Sequence, residues 1–164
     1  MMIRPATERD LRRILEIEKT SFQSPWPEGL LRGHLGEKGF LIYEQDGQIL
    51  GYIIAGIKIP SLWERLEKKT RALVGQRVDL EERTGHIMNL AIDPAFRRRG
   101  LGSFLLREGM QYLQELGADC VELEVRVSND SAIRLYEKYG FRLEERFPDY
   151  YGHGEDAYLM VKSL

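Results

Sequence analysis

Cysteine is nearly absent from this chain of 164 residues: Cys120 stands alone, so no intramolecular disulfide can hold the fold together. Histidine is scarce as well. His34, His86 and His153 are widely separated and make no metal-ligand motif, so no bound metal is expected. No apolar run approaches the roughly 20 residues of a membrane helix, and Met1 to Pro5 lacks the apolar core of a secretory leader. The expectation is a cytoplasmic protein that does not associate with membranes. Neither sign of charge dominates. With 24 Lys and Arg against 26 Asp and Glu, the formal net charge is -2, which argues against a general nucleic-acid binder and leaves local basic patches open. Hydrophobic residues, at 43%, are not in short supply, so disorder is excluded and a single domain over residues 1–164 is expected.

What is present is a mixed α/β pattern without regular βαβ alternation. Met2 to Ala6 reads as a strand. Thr7, with Asp10 three residues on, opens a helix whose buried stripe is Leu11, Ile14 and Ile17. Ser24-Pro25-Trp26-Pro27 breaks the chain before a short helix with Leu30, Leu31 and Leu35 on its apolar face. Phe40 to Glu44 and Ile49 to Ile59 read as strands joined by an Asp46-Gly47 hairpin turn. Residues 60–84 are polar and of mixed charge; they read as an inserted mobile loop, in which Leu62, Leu66 and Leu73 support a marginal helix. His86 to Ile92 is apolar on both faces, as a central strand would be. A helix from Leu101 to Leu116 ends at Gly117. Then come a strand from Val121 to Val125, a helix capped by Asn129 or Asp130 and stopped at Gly140, and closing strands at Phe141 to Glu145 and Ala157 to Lys162.

The strongest chemical signal lies between Asn89 and Leu106. An apolar strand ends at Asp93-Pro94, the basic turn Arg97-Arg98-Arg99 follows, and Gly100 and Gly102 flank the start of a helix with no side-chain cap. Such a turn leaves the N–H groups from Arg98 to Ser103 unpaired at the positive end of a helix dipole, which is an anion site. Glycines let backbone approach a phosphate, and arginines add charge-assisted hydrogen bonds. The alternative is a solvated charge cluster or a ribosome or RNA contact; the place between a strand end and a helix start favours a pyrophosphate.

The run Arg97-Arg98-Arg99-Gly100-Leu101-Gly102 resembles the acyl-CoA pyrophosphate loop of the GNAT acetyltransferases, Gln/Arg-x-x-Gly-x-Gly/Ala. Gly85 to Pro94 before it is similar to the same family in order and spacing. So are Leu123 to Asn129, Ala132 to Phe141, and the ending Tyr150-Tyr151 with Gly154 to Ala157. Within the family the likeness is to the protein N-terminal acetyltransferases of the bacterial RimI and archaeal Ard type, and it is strongest from Gly85 to Met160. The resemblance implies a GNAT fold in which the strands His86 to Ile92 and Val121 to Val125 splay apart. Acetyl-CoA would lie in the gap. Its pantetheine arm would bond backbone at Leu90 to Ile92, Ala91 included. Its pyrophosphate would sit on Arg98, Arg99, Gly100, Leu101, Gly102 and Ser103, with Arg97 also binding the cofactor; Asn129 would reach the pantetheine or substrate side, and Tyr136 would sit near the thioester sulfur. Implied partners are protein or peptide N-termini, ribosomal or nascent chains among them; a monomer or weak dimer is expected.

An amine must be neutral to attack a thioester. An α-amino group ionises near pH 8 and a lysine near 10.4, so at pH 7 the neutral fraction is on the order of a hundredfold larger for an N-terminus. Val121, Leu123 and Val125 face one side of their strand, Glu122 and Glu124 the other. Glu124 would take the amine's proton, through water; alternatively it pairs with Arg126. His86 either assists, as a group that titrates near neutrality, or is structural. Tyr136 would protonate the departing thiolate; alternatively it is a core aromatic with a wet tip. Asn89, Trp26, Tyr150 and Tyr151 would flank the acceptor groove, although Trp26 could equally be packing. The segment Ser24 to Glu28 lacks an acidic residue at the place where some relatives bind a methionine terminus, which points to small first residues such as Ala or Ser. Cys120 reads as a small buried hydrophobe, so direct transfer in a ternary complex is preferred to an acyl-cysteine. The competing functions are acetylation of a small-molecule amine or lysine side chain, and acyl-CoA binding without turnover.

Overall fold

The computed structural model describes residues 2–60, 62–74 and 83–164. Seven strands form one sheet: β1 (Met2–Pro5), β2 (Phe40–Gln45), β3 (Gln48–Ile57), β4 (Thr84–Ile92), β5 (Cys120–Arg126), β6 (Arg142–Phe147) and β7 (Ala157–Ser163). The spatial order is β1-β2-β3-β4-β5-β7-β6. Every neighbouring pair is antiparallel except β4 and β5, which run parallel at the centre. The turn between β2 and β3 uses Asp46 and Gly47 at φ 52° and 75°, both left-handed, the geometry that matches the twist of a two-residue hairpin.

Helices cover both faces. α1 (Leu11–Ser21) and α2 (Glu28–Gly33) lie on one, where Leu11, Ile14, Ile17 and Leu31 pack with Phe40, Ile42, Tyr52 and Ile54. α4 (Leu101–Glu115) and α5 (Asp130–Lys138) cover the other, where Leu105, Leu106, Leu113 and Tyr136 pack with Ile53, Val121 and Leu123. Burial of each such aliphatic side chain is worth about 1.5–3 kcal/mol. β3 is therefore buried from Ile49 to Ala55, as a strand clad on both faces must be.

Three expectations change. Leu30 is 44% exposed, because the short α2 turns only Leu31 into the core. Residues 60–84, read as a loop with a marginal helix, carry a regular helix, α3 (Leu62–Leu73). Leu66 and Leu73 lie on that helix and are exposed; residues 75–82 fall outside the described residues. β4 is not apolar and covered on both sides: every second residue from Thr84 to Ile92 is only half-buried, because a cleft opens beside it.

Candidate active site

The cleft begins with a divergence. β4 and β5 pair only from Thr84↔Cys120 to His86↔Glu122, and beyond that point each strand continues without the other. β5 stays attached to β7 through Arg126, and β4 to β3 through Ile92. The Asp93 N–H donates to the Leu50 carbonyl at 2.8 Å. In an antiparallel ladder the bonded pairs alternate, so Tyr52 and Ala91 form the next such pair in this register. The peptide groups of Leu90 and Ile92 therefore face the gap, and those of Ala91 face β3. This corrects the inclusion of Ala91 among the cofactor contacts. The Ile92 carbonyl accepts from Arg97 Nε at 3.1 Å and Ser21 Oγ at 3.3 Å, which leaves the Leu90 peptide facing the opening.

The fork opens into a cleft of about 390 Å³ lined by Glu18, Trp26, Asn89, Glu124, Asn129 and Tyr136 among others. Leu90, Arg97 and Tyr151 also line it. Glu124 projects from β5 on the side opposite the core residues Leu123 and Val125. Its partner is His86, not Arg126: His86 Nε2 lies 2.7 Å from Glu124 Oε2. Burial favours protonation of Glu124, but the hydrogen bond and charge of His86, with Lys58 further off, outweigh it, and the carboxyl titrates below its ordinary value. Glu124 is thus an ionised acceptor beside a titratable ring.

The sequence reading missed the second carboxylate in the cleft. Glu18, on α1, is 1% exposed and fully hydrogen-bonded. One oxygen accepts from the Trp26 N–H at 2.7 Å; the other accepts from the Tyr52 hydroxyl and from Asn89 Nδ2 at 3.3 Å. Burial, then Glu18, push the Tyr52 hydroxyl up, so it donates as a neutral phenol. The signal was available: Glu18 falls seven residues after Leu11 and four after Ile14, on the buried stripe of the helix. Asn89 and Trp26 are thereby fixed to the same anchor, and Trp26 also packs against His34 with ring centroids 5.8 Å apart.

Tyr136 sits on α5, its ring against Phe141, and its hydroxyl titrates above its ordinary value through burial and, secondarily, Tyr151. It is a neutral proton donor. Asn129 caps α5, its Oδ1 accepting the Ala132 N–H at 3.2 Å, so the side chain is committed to the helix. Tyr151 meets Arg126, whose guanidinium lies 4.2 Å above the ring. Tyr150 does not line the cleft; it is 52% exposed, stacks on Phe147 and meets Tyr151 edge-on at the rim.

The basic turn has the geometry expected of it. Gly100, at φ 81°, sits at the N-cap of α4, and no side chain caps the helix. Arg98 is left-handed too, at φ 62°, an uncommon state for a side-chain-bearing residue. The arginines diverge: Arg97 turns back to Ile92, and Arg99 lies over the Phe96 ring at 5.1 Å. Leu101 is buried, so only its backbone faces a ligand. A Cβ at Gly102 would meet nothing closer than Leu135 Cδ2 at 3.4 Å, an ordinary contact, so the fold itself does not demand glycine there.

No metal was expected, and the histidines do not cluster. Among the described residues one group of ligand type forms: side-chain atoms of His86, Glu122 and Glu124 lie within 4.8 Å of one another. Lys58 Nζ already stands 2.6 Å from Glu122 Oε1, where a cation would bind. Cys120 is buried at the start of β5, its Sγ 3.6 Å from Thr84 Oγ1.

A forked sheet with an uncapped basic turn at one end of the fork and a carboxylate–imidazole pair at the other defines an acyl-transferring enzyme. The acetyltransferase (GNAT) family model matches residues 11–141, and the chain belongs to that family. It is similar to an N-alpha-acetyltransferase of Sulfurisphaera tokodaii, 34% identical over 165 residues that cover 99% of this chain and 92% of the relative. A ribosomal protein bS18-alanine N-acetyltransferase of Haemophilus ducreyi is 31% identical over 168 residues, covering 99% and 100%. The crystal structure of Ard1 from Thermoplasma volcanium superposes with a TM-score of 0.79 at 28% identity, covering 99% of this chain and 97% of that one.

Proposed function

We propose that this protein transfers the acetyl group of acetyl-CoA to the N-terminal α-amino group of proteins, by direct attack in a ternary complex. The observation that carries the reading is the separation of β4 and β5 just beyond His86, with the His86–Glu124 pair at the point of the fork. The relatives named N-alpha-acetyltransferase and bS18-alanine N-acetyltransferase support the same acceptor class over nearly the whole chain.

Acetyl-CoA supplies the thioester. The turn from Arg98 to Ser103 holds its pyrophosphate through backbone N–H groups, and the Leu90 peptide bonds the pantetheine arm as an added strand edge would. Glu124, ionised and half-buried, takes the proton of the acceptor ammonium, with His86 orienting the carboxylate and sharing the proton. The neutral amine forms the new N–C bond, and the C–S bond breaks. Tyr136 gives its proton to the thiolate, and the second N–H proton of the attacking nitrogen, lost as the amide forms, returns to Tyr136 through water. A thiol that ionises near pH 8.5 is already a fair leaving group, so Tyr136 contributes moderately. Asn89, Trp26 and Tyr151 bound the acceptor side, with Tyr150 at its rim.

The acceptors are chains with small first residues, ribosomal and nascent proteins among them. The alanine specificity named for the bS18 relatives supports this, as does the absence of an acid from Ser24 to Pro27. The test is incubation with acetyl-CoA and a peptide library varied at the first two positions, read by mass spectrometry. Mass gain on free N-termini, highest for Ala and Ser, is the expected result. Acetylation of lysine in N-terminally blocked peptides, or of polyamines instead, overturns the acceptor assignment; CoA binding without turnover overturns the enzyme.

A further inference from the structure

Removing a proton from an amine needs one base, yet two carboxylates stand here. Glu122 and Glu124 leave the same face of β5, two residues apart, and Glu122 lies directly across the ladder from His86. Two ionised carboxylates this close to one imidazole would retain a proton among them near neutrality, and a base already protonated cannot act. The Glu122 residue is 9% exposed, and its Oε1 is fully buried. The group that meets it is Lys58, just past the end of β3, whose Nζ lies 2.6 Å from Glu122 Oε1 and 3.0 Å from Glu64 Oε1 on α3. The backbone holds Lys58 in place: its N–H donates to the Thr84 carbonyl at 2.8 Å, two residues before His86.

We propose that Lys58 and Glu122 are positioning residues for proton removal: the ammonium cancels the Glu122 charge, so that the neighbouring His86–Glu124 pair is left able to accept the acceptor's proton. This rests on the assignment of that pair as the base. Lys58 stays protonated and Glu122 ionised throughout; only the pair gains and loses a proton. The other groups facing Glu124 do not supply this balance. Tyr150 and Tyr151, from the loop before β7, titrate above their ordinary values, first through burial, and are neutral. Tyr136 across the cleft is neutral for the same reason, Glu18 is held by its donors, and Arg126 is spent on the Tyr151 ring. Lys58 also acts on Glu124 directly, as one of the charges that hold its carboxyl low.

The prediction has a sign for each charge. By NMR, the titration midpoint of the His86 ring should rise by about one pH unit in Lys58→Met, which orphans Glu122, and fall by a similar amount in Glu122→Gln. Lys58→Met/Glu122→Gln, neutral at both positions, should return it to the wild-type midpoint, and Lys58→Arg should leave it there. At pH 7 kcat should drop about tenfold in Lys58→Met and recover in Lys58→Arg. CoA binding by calorimetry reports folding of each variant; should Lys58→Met fail it, Glu122→Gln and the double variant still decide. Shifts of the same sign, or no shift with kcat lowered in every variant, would overturn the charge-balancing role. Full activity in Glu124→Gln would instead overturn the base assignment, whatever Lys58 does.

Discussion

Two carboxylates share one cleft, Glu18 buried and Glu124 half-buried, and they differ in what holds them. Glu18 accepts from a backbone N–H, a phenol and an amide, none of which titrates near neutrality. Glu124 is held by the imidazole of His86, a ring that can either donate or accept a proton. The first arrangement surrounds a carboxylate with donors only; the second sets one beside a group able to trade protons with it. Burial and charge alone do not separate an anchor from a base. The chemistry of the partner does.

The largest effect should come from breaking the reactive member. Glu124→Gln keeps size and hydrogen bonding but cannot accept a proton. We expect kcat to fall by about 10²–10⁴ while acetyl-CoA affinity, measured by calorimetry, stays within twofold. Glu18→Ala should do the converse. It orphans the Tyr52 hydroxyl and the Trp26 N–H, at about 3 kcal/mol in total, a fall in melting temperature of roughly 6–12 °C. The KM for peptide should rise as the Trp26 segment loosens, while the pH dependence of kcat keeps its shape. A shifted pH profile in Glu18→Ala would erase the distinction between the two carboxylates.

The same contrast recurs in two glycines of α4. A Cβ at Gly109 would meet Ile53 Cδ1 at 2.6 Å, against a side chain that is fully buried, so Gly109 is required by packing. Gly102 has only ordinary contacts around its missing Cβ. Gly102→Ala should therefore melt close to wild type and bind acetyl-CoA about tenfold more weakly, since the added methyl stands where a phosphate approaches. Gly109→Ala should lose stability, by about 1–3 kcal/mol, and keep its affinity for CoA once folded.

The order of strands, the hairpin, the uncapped turn and the face of Glu124 were legible because each depends on local spacing. The alternation along β5 put Glu122 and Glu124 on one side, and Arg97 to Ser103 announced an anion site. Register was not legible. That His86 lies across from Glu122, that Lys58 reaches the same spot from the end of β3, and that Ala91 turns its peptide to Tyr52 all follow from long-range pairing, which no window of sequence contains. Glu18 is the intermediate case: its helical spacing marked it as buried, but the donors that satisfy it come from residues 26, 52 and 89, on three other segments. Charges placed at buried positions of a clear periodic pattern are the residues to examine first in such a chain.

Another buried carboxylate, far from the cleft, supplies the smallest effect. Asp10 receives the Arg4 guanidinium at 2.8 Å and the Thr7 N–H and hydroxyl at 2.8 Å each. The Arg4 hydrogen bond is the main reason its carboxyl titrates near 2 rather than 3.8, against an opposing push from burial. A carboxyl whose pKa is lowered by folding stabilises the folded state above its unfolded pKa, and that stabilisation is lost as pH falls through the folded value. Its window therefore runs from about pH 4 down to about pH 2, and its size is on the order of 1–2 kcal/mol. Asp10→Asn should lower the melting temperature at pH 7 by a few degrees and flatten its decline between pH 4 and pH 2, with kcat at pH 7 unaltered. Because Arg4 cannot release its proton in this range, Asp10 resembles Glu18 rather than Glu124. A change in the pH dependence of activity in Asp10→Asn would show that a fixed partner is not enough to make a carboxylate inert.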